Sequence, residues 1–189
     1  MGSQKTVLPM NCFDETWLST DSRIERNYYH VILYIQGRID PVKLNQALRS
    51  CANRHPALRT ILRRQVLRHF REVQEHLDGQ ILNVSDLTAG RDAGAPISKQ
   101  ADAEYEERLS GWINRPFNLK KELPFRVLLL KKSDIESSLV LSFHHSCADA
   151  LRALRFINEV IYWYNHGGPA DPSLPEDTPA CHRRDELLQ

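Results

Sequence analysis

The sequence predicts an α/β (α+β) layered sandwich built on a mixed sheet. Three observations carry this reading. Runs rich in β-branched and aromatic residues alternate along the chain with stretches of helical periodicity. The two clearest strand-like runs, Phe125 to Lys131 and Ser137 to Phe143, stand close together and are followed by an amphipathic stretch. Apolar residues make up 41% of 189 residues, enough for one packed core in one domain and too many for a disordered chain.

The elements follow in order. His30 to Gln36 (HVILYIQ) reads as a strand. Gly37 to Pro41 breaks it, with Asp40 as a helix cap and Pro41 at the first helical position. In that helix Leu44, Ala47, Leu48 and Cys51 keep the i, i+3, i+4, i+7 spacing of one buried face, and the helix ends near His55-Pro56. Ala57 to Arg64 and His69 to Gln74 form a predicted hairpin, followed by a short strand at Ile81 to Val84. Gly90, Gly94 and Pro96 mark Ala89 to Pro96 as a loop. Ile97 to Asn114 is helical and stops at Pro116. Ala150 to Tyr164 is an amphipathic helix with Leu151, Leu154, Ile157, Ile161 and Tyr164 near one face. From Gly167 onward prolines and charges predict a tail or linker, so the domain is expected over 1–166 and the Pro-rich segment over 167–189.

Composition narrows the function. A net charge of +1 gives no general attraction to nucleic acid or membrane surfaces. No apolar run approaches membrane-spanning length, and Met1 to Met10 lacks the apolar stretch of a signal peptide. Cys12, Cys51, Cys147 and Cys181 form no CxxC pair and no zinc-finger spacing. The expectation is a soluble protein with free thiols in a reducing, cytoplasmic compartment.

The chemistry concentrates in His144-His145-Ser146-Cys147-Ala148-Asp149. Side chains alternate along a strand, so Leu139, Leu141, Phe143 and His145 share one face while Val140, Ser142 and His144 share the other. The two histidines therefore have different surroundings, and His145 stands where strand becomes loop, both fixed and reachable. A neutral imidazole there can take a proton from a hydroxyl, amine or thiol near pH 7. Two other readings stand beside this one. Asp149 is placed to cap the following helix, and a strand-end histidine can be purely structural. Neighbouring histidines on a strand diverge, so no metal site is expected.

HHSCADA resembles the HHxxxDG motif of the chloramphenicol acetyltransferase-like superfamily. That group includes the condensation domains of nonribosomal peptide synthetases and the wax ester synthase-type acyltransferases. Arg54-His55-Pro56-Ala57-Leu58-Arg59-Thr60 resembles the RHxxLRT segment of these proteins. Arg115-Pro116-Phe117-Asn118-Leu119 with Pro124 to Leu129 resembles their PFDL and PLxRxxL segments, and Asp40 to Leu48 resembles their "D…L..AL" helix. The resemblance spans about Met10 to Tyr164 and corresponds to the N-terminal half of a condensation domain, a chloramphenicol acetyltransferase-like half-domain.

The resemblance implies the following roles. His145 acts as general base or stabilises the charged intermediate in a tunnel between two half-domains. His144 is a structural neighbour. Asp149 points away from the tunnel and pairs with Arg59, holding the motif loop. Ser146, Cys147 and Ala150 stand where substrate-channel residues are expected, with Cys147 favoured as a small packing residue. The implied reaction moves an acyl group from a pantetheine thioester to an amine or alcohol, with acyl-coenzyme A or an acyl-phosphopantetheine carrier protein as donor and no permanently bound cofactor or metal.

Two departures bear on that expectation. Ala150 replaces the motif glycine, which is costly if the position needs φ > 0 and harmless if it opens a helix. The DFGWG-like segment of the second half is not found, so a C-terminal half-domain or a homo-oligomer partner is expected to complete a site. The alternative is a non-catalytic interaction or carrier-protein-binding module. Pro41 to Arg71 contains no acid but has Lys43 and the arginines 49, 54, 59, 63, 64, 68 and 71. A solvated face with internal ion pairs is the favoured reading of that stretch, ahead of docking for a phosphate or acidic carrier, and no nucleic-acid motif accompanies it.

Overall fold

The structure, a computed structural model, describes residues 6–10, 15–18, 26–65, 68–88 and 99–168. The predicted loop Ala89 to Pro96, the first two residues of the predicted helix at Ile97, and the tail from residue 169 lie outside them. A four-stranded mixed sheet forms the centre. Its strands are β2 (Tyr28–Gln36), β5 (Leu82–Asp86), β6 (Phe125–Lys131) and β7 (Glu136–His144), in the order β2-β7-β6-β5. The β2–β7 and β6–β7 pairs are antiparallel, and the β5–β6 pair is parallel. A parallel pair needs a crossover, and α2 (Lys99–Asn114) lies in the connection that provides it.

Helices cover both faces of this sheet. On one side α1 (Pro41–Arg54) and α3 (Ala150–His166) pack Leu48, Cys51, Phe156 and Val160 against Val127, Leu129, Leu141 and Phe143. On the other, Tyr105 and Leu109 of α2 pack with Leu128, Leu130 and Val140. Burial on both faces explains the near-continuous apolar sequence of β6 and the middle of β7. The layered mixed-sheet fold is as the sequence predicts. So is α1, where the Asp40 carboxylate accepts the N–H groups of Val42 and Lys43 and Pro41 opens the first turn.

A second sheet, β1-β4-β3, joins β1 (Val7–Pro9) to a hairpin of β3 (Thr60–Gln65) and β4 (Arg68–Val73). The hairpin is present where predicted but starts three residues late. Pro56 initiates a 3-10 turn, Pro56–Arg59, which holds the chain out of the strand until Thr60. The short strand is likewise shifted by one residue, to Leu82.

The predicted face of α3 holds at Ile157 and Tyr164 and needs correction at its other positions. Ala153, Phe156, Ile157 and Val160 are buried, whereas Leu151, Leu154 and Ile161 are 59%, 50% and 44% exposed. A count of aliphatic residues alone places Leu151, Leu154 and Ile161 on the buried face, where Ala153, Phe156 and Val160 stand instead. Small Ala153 admits the helix close to the sheet, and Phe156 fills the remaining space against Phe125 and Phe143. The helix also runs two residues further than predicted and ends at Gly167, whose φ of 77° is the left-handed cap conformation.

Candidate active site

The site is built where β7 ends. Strand alternation sends Phe143 toward α1 and α3, and sends Ser142 under Trp112 of α2 and His144 toward Phe117. Past His144 the chain turns, and His145 comes to stand over the end of β2. The two histidines thus differ as their positions predict. His144 is fully buried, edge-on to Phe117. Its Nδ1 accepts the N–H of Ser146 at 3.1 Å and lies 2.8 Å from the Ser146 hydroxyl. An acceptor at Nδ1 puts the ring proton of a neutral imidazole on Nε2. His144 is therefore an internal brace that shapes the turn following it.

His145 is fixed by its backbone and its ring faces. Its N–H donates to the Asn27 carbonyl at 2.8 Å. Its imidazole stacks on Trp17, with ring centroids 4.8 Å apart and planes 17° apart, and contacts the Tyr29 ring at 4.9 Å. Among the described residues, no hydrogen bond is made to either imidazole nitrogen. Partial burial holds the imidazole below its ordinary pKa, and the charge of Asp149 acts in the opposite direction with smaller effect. The ring is thus neutral at pH 7 with an open nitrogen, the state that a proton acceptor needs.

The rest of the motif serves the loop. Asp149 is exposed and caps α3, accepting the N–H of Arg152 at 2.8 Å. Ala150 is the first residue of that helix. The position needs no left-handed backbone, so the missing glycine is harmless to the fold. Cys147 is buried, with Sγ 3.2 Å from the Pro124 carbonyl and 3.1 Å from that of His144, the packing role favoured above.

The expected Arg59–Asp149 pair is not formed. Arg59 turns instead to the backbone carbonyls of Gln74 and Glu75, anchoring the strand that leaves the hairpin. The arginine that reaches the motif loop is Arg71 of β4, which is 3% exposed and donates to the Ser146 carbonyl at 3.0 Å. Motif position alone points to Arg59, whereas the tertiary placement of β4 brings Arg71 to the loop.

Other residues reach His145 only through tertiary contact. Tyr29 faces the motif because β2 pairs with β7 in the register Tyr29↔Phe143, and its hydroxyl donates to the Ala148 carbonyl at 3.1 Å. Burial pushes this phenol well above its usual range, so it remains a neutral donor. Asn27 is buried, and its side-chain amide donates to the Trp17 carbonyl at 2.7 Å. Nothing in the local sequence signals Trp17, an aromatic in a polar N-terminal stretch.

Two small clefts border the loop. Cys147 lines one with His55, Leu58, Arg152 and Phe156, and Ser146 lines the other with Leu62, Arg71 and Leu119. His145 lines neither, and Ala150 is likewise absent from both. Of the expected channel residues, Ser146 and Cys147 each border one of these two clefts.

The arginine-rich stretch divides between buried Arg59 and Arg71 and exposed Lys43, Arg63 and Arg64. Arg54 pairs with Glu159 at 2.8 Å, Arg63 pairs with Glu72 at 3.0 Å, and Arg59 and Arg71 bond to carbonyls. These contacts support the reading as internal pairing over that of a docking surface.

Comparisons with known proteins agree with this geometry. The condensation-domain family model matches residues 17–179, more than half of the chain. Bacitracin synthase 1 of Bacillus licheniformis is 29% identical over 144 residues, covering 75% of this chain and 3% of its own length. SgcC5 of Streptomyces globisporus is 27% identical, with a TM-score of 0.62 over 79% of this chain and 32% of its own. The starter condensation domain of rhizomide synthetase RzmA has the same fold, with a TM-score of 0.74 at 19% identity over 97% of this chain and 44% of its own. The chain therefore spans less than half the length of these relatives. With the histidine-bearing strand end, the mixed sheet and the family match in agreement, the chain belongs to the condensation-domain family.

Proposed function

We propose that this chain is the N-terminal half of an acyl-transfer site in which His145 is the base. The donor is a pantetheine thioester, on coenzyme A or a carrier protein, and the acceptor is an amine or alcohol. The acceptor's N or O attacks the thioester carbonyl carbon while His145 takes its proton. The tetrahedral intermediate then expels the thiolate, which recovers that proton from His145 as the C–S bond breaks. The observation that carries this reading is the His145 imidazole, held against Trp17 and Tyr29 and free of hydrogen bonds at both nitrogens among the described residues.

A base on an open face needs walls. The 32% and 44% coverage of the solved relatives supports completion by a C-terminal half-domain, and a second copy of the chain is the other candidate. Residues 1–166 form the catalytic half in this proposal, and 167–189 form the linker that leaves it. Cys51 and Cys147 are free thiols, which fits a reducing cytoplasmic setting, and among the described residues no helix is long and apolar enough to cross a membrane.

The test is acyl transfer from a panel of acyl-coenzyme A and acyl-carrier donors, comparing the native chain with His145→Ala. Loss of about 100-fold or more is expected, the usual contribution of a positioned base. Equal rates would remove His145 from the mechanism. A second reading, a non-catalytic interaction module, is favoured by the share of its solved relatives that the chain spans, 32% and 44%, which leaves the other wall of a tunnel to be supplied. A panel without turnover, together with tight binding of a carrier domain, would select it.

A further inference from the structure

We propose that Trp17, held in place by Asn27, is a positioning residue that fixes the His145 imidazole and stabilises it while it carries a proton. The inference rests on the assignment of His145 as the base for its catalytic part, and on geometry alone for the rest.

Asn27 holds both partners. Its side-chain amide donates to the Trp17 carbonyl at 2.7 Å, and its own carbonyl accepts the His145 N–H at 2.8 Å. One buried residue thereby sets the distance between two segments that are remote in sequence. The indole and imidazole then lie nearly parallel, with centroids 4.8 Å apart. Against a neutral imidazole this contact gives dispersion. Against an imidazolium it adds the attraction of a cation for the negative face of the indole, which is strongest for tryptophan among the aromatic side chains. The contact is therefore stronger after proton transfer than before it, the property that accelerates a step rather than merely binding its reactant.

The contact also answers an electrostatic cost. Burial opposes charge on His145, and the nearby carboxylate, Asp149, is exposed and committed to the α3 cap. The other titratable or charged groups on the surrounding elements are Tyr29 on β2, a neutral phenol, Cys147 in the motif loop, Arg71 on the Ser146 carbonyl, Arg26 bonded to Asn114, and Glu15 on the turn that bears Trp17. Asp149 favours the imidazolium by less than burial opposes it, and the indole face adds a further attraction without a formal charge.

The experiment uses the full chain. The imidazole signals of its eight histidines are followed by NMR against pH, and the His145 signal is assigned by its loss in His145→Gln. Trp17→Leu is expected to lower the His145 midpoint by about half a pH unit, and Trp17→Phe to restore most of it. An imidazolium against an indole quenches its fluorescence. The difference in emission between the native protein and Trp17→Phe should therefore fall on acidification, and His145→Gln should abolish the fall. Asn27→Ser, which shortens the side-chain link to Trp17, should weaken the quenching and serves as a second probe if Trp17→Leu does not fold. With a competent donor, kcat falls about 3- to 10-fold in Trp17→Leu, with KM changed less than about two-fold and Phe restoring the rate. An unchanged midpoint in Trp17→Leu, or acid quenching that persists in His145→Gln, would overturn the proposal. Failure of every donor in every form would instead refute acyl transfer, and the titration would still decide the role of Trp17.

Discussion

Arg71 reaches across from β4 to donate to the Ser146 carbonyl at 3.0 Å, tying the small hairpin sheet to the loop that carries the candidate base. The contact is buried, so its loss leaves a carbonyl without its donor. Arg71→Ala should destabilise the chain by about 1–3 kcal/mol. Arg71→Lys, which keeps the charge but not the fork, should recover only part of it. Denaturant unfolding of the three proteins checks this, and a native-like midpoint for Arg71→Ala would refute the tie.

Arg59 and Asp149 should behave as strangers. Asp149→Ala removes a helix cap and should cost about 1 kcal/mol, with Asp149→Asn close to native. Arg59→Ala removes the donor to the Gln74 and Glu75 carbonyls and should cost more, about 1–3 kcal/mol. The double variant should show the sum to within about 0.5 kcal/mol. A coupling well beyond that would restore the motif-based pairing.

Stability should decline on mild acidification. Burial lowers the pKa of His30, helped by the Arg126 charge, and burial also lowers that of His145. For a lowered histidine the unfolded chain takes up its proton first, near pH 6.5. Stability is then full above that pH and is lost as pH falls from 6.5 toward the folded-state value, below which the loss levels off. His30 also bonds through Nδ1 to the Ser142 hydroxyl at 2.8 Å, so His30→Asn tests the linkage at some cost in stability. Its unfolding free energy should change less between pH 7.5 and 5.5 than that of the native chain, whatever its absolute value.

Cys51 should be chemically silent. It is fully buried on α1, and burial pushes its thiol up to about 12. Modification mapped by mass spectrometry should find Cys51 labelled only at the rate of global opening, and labelled fully in denaturant. Rapid labelling in the native state would mean that α1 lifts from the sheet far more readily than its packing implies.

Local patterns were legible where one element decides its own form. The Asp40-Pro41 start of α1, its buried row and the two faces of β7 all follow from caps and periodicity. The different roles of His144 and His145 follow from strand alternation in the same way. What was not legible depends on which elements become neighbours. Ser138 and Ser142 look out of place in a buried strand until Tyr105 and Trp112 of α2 are seen to bond their hydroxyls at 2.8 and 3.2 Å. Arg126 looks like a surface charge, yet it is buried between Trp112 and Phe117 and donates to the carbonyls that end α2. The α3 face failed for the same reason, because the sheet selected bulk and smallness rather than aliphatic character. Trp17 and Arg71 reach the motif only through tertiary contact, which no local pattern encodes.

The bond from Tyr29 to the Ala148 carbonyl joins residues 119 positions apart. A ribosome making this chain releases Asn27 and Tyr29 long before the histidine motif exists. The β6–β7 hairpin is local, but closing β2 onto β7 must await nearly the whole core, so the surroundings of the base are among the last contacts to form. A chain halted before His145 carries the Trp17, Asn27 and Tyr29 lining of the site without its base.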